Sequence, residues 1–123
     1  MTAVLAIGLD PAAADLSAFP GVTPELVRHY IDAEIVRLRS LGYEVETCLI
    51  GAGDRATEPV EAALREGDFD CVLIGAGLRQ PPERLGLFEA VLNLVHALAP
   101  GAKIAFNTTP ADTAEAVQRW VDP

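Results

Sequence analysis

The sequence predicts an α/β fold: a three-layer α/β/α sandwich around a four-stranded parallel sheet of order 2-1-3-4, in one domain spanning residues 1–123. Four apolar runs of strand length, Ala3 to Asp10, Tyr43 to Ile50, Asp70 to Ala76 and Ala102 to Thr108, alternate with helical patterns. Two of these runs, VLAIGL and CVLIG, are almost continuously apolar, as strands buried on both faces are. A length of 123 residues, 50 % apolar and 22 % charged, suits a single core.

The first strand leads into a long connection, DPAAADLSAFPGV, that ends at Thr23-Pro24, an N-cap followed by proline at the first helical position. In the helix that follows, Glu34 falls within the apolar face of Val27, Tyr30, Ile31, Leu38 and Leu41, so it needs a partner such as Tyr30 or Arg37, or a place at the face's edge. The second strand, YEVETC, alternates, with Glu44 and Glu46 on one side, which predicts a sheet edge. Gly42, Gly67 and Gly101 precede strands two, three and four and fit left-handed helix ends. The third helix follows Pro81-Pro82, and the fourth starts at Thr109-Pro110 with Asp112 at capping-box spacing. Because parallel neighbours need right-handed crossovers, these elements are most economically arranged in the order 2-1-3-4.

Charge excludes several partners. Eighteen acidic against nine basic residues give a net charge of −9, which repels nucleic acid and anionic membrane surfaces. The N-terminal segment lacks a basic leader and no run reaches membrane-spanning length, so a cytoplasmic location is expected. Cys48 and Cys71 lie inside predicted strands without a CxxC partner and read as buried thiols. No metal-ligand spacing or nucleophile–base pair emerges, and no metal or cofactor is assigned.

The strand order also predicts a site. In open parallel sheets ligands bind beyond the carboxyl ends of the strands where the order reverses, here between strands one and three. Asp10, the turn Gly75-Ala76-Gly77, Arg79, and Asn107 with Thr108 are the candidate ligand-binding residues at that edge. Glu89, near the start of the third helix, joins them. Arg79 offers a fixed positive fork for a carboxylate or phosphate. The segment LIGAG occurs twice, at Leu49 to Gly53 and Leu73 to Gly77. Gly51, Gly53 and Ala56 satisfy G-x-G-x-x-A, yet no acidic residue follows about 20 positions on to hold a ribose, which argues against a dinucleotide site.

The third helix, Arg84 to Ala99, carries large apolar side chains over well over half its circumference, more than one sheet face covers. A homo-oligomer, in the simplest case a homodimer, through this helix is therefore expected. Its remaining polar stripe, Glu89, Asn93 and His96, reads first as a solvated sliver.

The blocks VLIGAGLRQPP, LFEAVLNLVHALAPGAKIAFNTTPADT and RW resemble a family of small bacterial α/β proteins over most of the chain. That resemblance implies a flavodoxin-like, Rossmann-like fold without implying a reaction. At fold level the chain is also similar to response-regulator receiver domains, but Gly75-Ala76-Gly77 stands where a phosphoacceptor aspartate would. Two functions from different classes follow: binding of a small anionic metabolite or nucleotide fragment at the sheet edge, or a protein–protein module that uses the third helix and takes no ligand. An enzyme using Asp10 as acid or base is a weaker third.

Overall fold

The computed structural model describes residues 1–123. Four parallel strands, β1 (Ala3–Leu9), β2 (Glu44–Ile50), β3 (Cys71–Ile74) and β4 (Lys103–Phe106), form one sheet in the order β2-β1-β3-β4. The order and the flavodoxin-like architecture are those the alternation predicts, and β2 is an edge strand, with Glu44 and Glu46 exposed. β1 pairs with β2 from Ala3↔Glu44 to Leu9↔Ile50 and with β3 from Val4↔Cys71 to Ile7↔Ile74.

Side-chain alternation along the strands divides the core into two layers. On one face Leu5, Ile7, Leu9, Cys48, Ile50, Val72 and Ile74 pack under α2 (Glu58–Glu66) and α4 (Leu85–Leu98). On the other, Val4, Ala6, Cys71, Leu73 and Ala105 pack under α1 (Pro24–Ser40) and α5 (Thr113–Gln118). A further single-turn helix, α3 (Ala76–Arg79), follows β3 directly. The glycines predict an open turn here, and the segment is helical instead. It coils because Gly75 is extended at φ −72°, ψ 152°, and its carbonyl accepts from Leu78 N–H, so Leu78 turns inward.

The predicted caps form. Thr23 Oγ1 accepts from Leu26 N–H at 3.1 Å. Thr109 and Asp112 make the reciprocal capping box, which opens on the 3₁₀ turn Pro110–Asp112 before α5. Burial works to raise the Asp112 carboxyl, but the Thr108 hydroxyl and the N–H groups of Thr109 and Thr108 outweigh it and hold the group below its ordinary value. The cap is therefore complete above the ordinary carboxylate range and weakens as pH falls through that lowered value. Of the three glycines read as left-handed helix ends, only Gly42 has positive φ, at 108°. Gly67 is kept small for another reason: a Cβ there would stand 2.5 Å from the Phe69 ring.

Glu34 is buried at 8 % exposure and is structural. Its Oε1 accepts from Ala114 N–H at 3.0 Å, and Oε2 lies 3.6 Å from the Arg37 guanidinium, one of the two partners expected from sequence. The carboxylate thereby caps the start of α5 and joins α1 to it. Tyr30, placed on the apolar face by periodicity, is instead 48 % exposed, and Ile35 and Leu38 supply the buried contacts.

Both cysteines are buried, as expected. Burial, then the charge of Asp70, pushes the Cys71 thiol up to about 11, and burial with Glu46 raises Cys48. A raised value means less thiolate at any working pH, and thiolate is the reactive form. We expect neither thiol of the native protein to react with a disulfide reagent at pH 8 within minutes, and both to react in denaturant.

Candidate functional site

The turns after Leu9 and Ile74 lie side by side at the carboxyl edge, as the strand order requires. Gly75 N–H donates to Ile7 O at 2.8 Å, and a Cβ on Gly75 would stand 3.4 Å from that oxygen. A Cβ on Gly77 would meet Leu9 Cβ at 3.4 Å. Leu78, which follows this turn, is fully buried in the layer that contains Leu9, Ile74 and Val91 under α4.

The polar candidates around this turn fall into three groups. Asp10 is half-buried and accepts from Ala12 N–H at 3.0 Å, capping the 3₁₀ turn Pro11–Ala13. Asn107 is 5 % exposed, and its amide is committed inward. Its Oδ1 accepts from Ala76 N–H at 2.7 Å, and its Nδ2 donates to Thr113 Oγ1 at 3.0 Å. That hydroxyl in turn donates to Pro110 O. The relay ties the start of α3, the end of β4 and the start of α5 together. Thr108 is exposed, donates its hydroxyl to Asp112, and its carbonyl accepts from Gln80 Nε2.

Arg79 is the cation of this edge. Its guanidinium donates from Nη2 to Asn107 O at 2.7 Å and lies 5.5 Å from the Phe106 ring centroid, a cation–π distance. Nε is buried and has no acceptor, and Nη1 makes no hydrogen bond within the chain. No carboxylate stands within ion-pair distance, whereas Arg28, Arg37, Arg55 and Arg65 each have one. Arg39, Arg84 and Arg119 also lack a carboxylate, and what sets Arg79 apart is that its Nε is buried without an acceptor.

Glu89 does not join this group. It is exposed on α4, where its backbone carbonyl accepts from Asn93 Nδ2 at 2.8 Å, and with Asn93 and His96 it forms a solvated stripe. The first LIGAG copy is equally separate: Gly51, Ala52 and Gly53 are exposed on a loop, and α2 starts only at Glu58. Sequence reasoning missed Phe106, Thr113 and Arg84. The last donates to Ala13 O at 3.3 Å and fastens the long connection after β1 to the start of α4. A buried hydroxyl and an aromatic under a guanidinium leave no periodic trace in the chain, so only the fold reveals them.

Two surface depressions, of about 480 and about 230 Å³, lie at the amino ends of the strands. Met1, Arg39, Val45 and Phe69 are among the residues lining the larger, and Asp68, Phe69 and Leu98 are among those lining the smaller. No helix is long and apolar enough to cross a membrane. Neither the scan against family models nor the search of curated proteins finds a match to the chain.

Proposed function

We propose that the chain is a cytoplasmic protein that binds a small anion, a carboxylate- or phosphate-bearing metabolite or nucleotide fragment, at the carboxyl edge of its sheet, with Arg79 as the anchor. The single observation that carries this reading is the Arg79 guanidinium, held by a hydrogen bond to Asn107 O and set 5.5 Å from the Phe106 ring centroid, with Nη1 making no hydrogen bond within the chain and no carboxylate partner. An anion at Nη1 would supply the missing charge and an acceptor for that nitrogen. In this reading Gly77 and Thr108 border the ligand, and Asp10, Gly75, Ala76 and Asn107 shape the support beneath it. Because Leu78 beneath the turn is fully buried, the ligand rests on the rim above it. Membership of the family of small bacterial α/β proteins that the sequence blocks resemble belongs to the same proposal.

Thermal-shift titration with inorganic phosphate, citrate and a nucleoside monophosphate tests it. Wild type is expected to gain several degrees with at least one of them, as binding to the native state alone requires, and Arg79→Ala to gain nothing. Equal shifts in both proteins would remove Arg79 as the anchor.

A second reading has its own observation. Leu85 is 58 % exposed at the start of α4, and Leu87, Phe88, Leu92, Leu94 and Leu98 are only half-buried, while Val91 and Val95 alone are covered fully. A helix so incompletely covered suits a homo-oligomer contact. Light scattering on wild type and Leu85→Glu separates this reading from a monomer.

A further inference from the structure

The sheet has two open flanks, and an arginine reaches each of them. β2 pairs only with β1 and β4 only with β3, so alternate residues of both present their backbone N–H and C=O outward. Glu44 N–H donates inward to Thr2 O, which makes Val45 an outward-facing residue. Its carbonyl accepts from Arg39 Nη2 at 2.9 Å. Lys103 N–H donates inward to Asp70 O, so Ile104 and Phe106 face outward. The Phe106 carbonyl accepts from Arg119 Nη2 at 2.8 Å. Arg39 comes from α1 and Arg119 from the end of α5, the two helices of the same layer, and neither arginine has a carboxylate within ion-pair distance.

We infer that Arg39 and Arg119 are guards of the sheet edges, and that the β4 edge, once Arg119 is removed, pairs antiparallel with β4 of a second copy of this chain. The outward residues fit such a pairing. With Ala105 on the two-fold axis, Ile104 of each copy exchanges both backbone hydrogen bonds with Phe106 of the other, and their side chains meet on the face covered by α4. Charge is complementary in the same register. Lys103, exposed and without a carboxylate partner, lies opposite Asn107 and beside Thr108 of the second copy, where the Asp112 carboxylate is bound to the Thr108 hydroxyl. Phe88, 6.0 Å edge-to-face from Phe106, extends the apolar contact onto α4. β2 needs its guard less, because exposed Glu44 and Glu46 already discourage pairing there. The inference is independent of any ligand at Arg79.

Light scattering at matched protein concentration tests it on wild type, Arg119→Ala, Arg119→Met and Arg28→Ala. The last removes the same charge from an exposed pair with Asp32. Both Arg119 variants are expected to double the assembly mass of wild type, Arg28→Ala to leave it unchanged, and Lys103→Glu added to either Arg119 variant to restore it. Melting curves establish which variants are folded, and Arg119→Met keeps the side-chain stem should the alanine variant fail. A folded Arg119 variant that keeps the wild-type mass overturns the inference. So does a wild type whose mass halves on Lys103→Glu alone, since its edge would then be paired already.

Discussion

Leu78→Ala is expected to lower stability by about 3 kcal/mol, within the range seen for truncating a buried leucine, and Tm by roughly 10–15 °C. The side chain is fully buried in the layer that contains Ile7, Ile74 and Val91. The surroundings are poorly able to collapse onto the space it leaves. Gly75 N–H is bonded to Ile7 O and Leu78 N–H to Gly75 O, so the turn that carries Leu78 is tied to β1. Denaturant unfolding should show a lower midpoint at an unchanged slope. A loss under about 1 kcal/mol would mean that α3 moves freely and that Leu78 does not anchor it to the core.

Asn107→Ala is expected to cost about 2–3 kcal/mol, because it leaves a buried N–H at Ala76 without an acceptor and the Thr113 hydroxyl without its donor. Its effect should also be local. Ala76 opens α3 and Thr113 opens α5, so hydrogen exchange is expected to quicken at the starts of both helices while β1 stays protected. Asn107→Asp serves as the control: a carboxylate still accepts from Ala76 N–H and receives the Thr113 hydroxyl proton in place of Pro110 O. The aspartate variant should therefore lose less than the alanine one. Equal losses would show that the amide relay contributes nothing beyond its volume.

The strand order was legible because each layer writes its own period into the chain. The near-continuous VLAIGL and CVLI segments mark β1 and β3 as interior strands, and the exposed glutamates mark β2 as an edge. Thr23-Pro24 and Thr109-Pro110 announced their helices because a cap is a local bond between residues two or three apart. The site was legible only in part. Position followed from topology, and the turns after Leu9 and Ile74 do adjoin. The burial of Leu78 depends on a helical turn, Ala76–Arg79, in a segment whose glycines suggest an open turn. Asn107 looked like a ligand-facing polar group at a strand end, yet its amide is committed between Ala76 and Thr113, an arrangement 31 residues apart on one side that no local pattern carries. Gly67 and Gly101 lack the positive φ expected of them because their helices end in extended or ordinary turns.

The side-chain Nε–H resonances of the arginines report on the anchor most directly. In the free protein the Arg79 Nε–H should exchange slowly with water, since the atom is buried, while those of Arg28 and Arg65, on exposed side chains, exchange fast. Titration with inorganic phosphate or a nucleoside monophosphate should then shift the Arg79 signal saturably, leaving Arg28 and Arg65 in place. An Arg79 resonance that stays fixed while the exposed arginines move would contradict the assignment of this edge as an anion site.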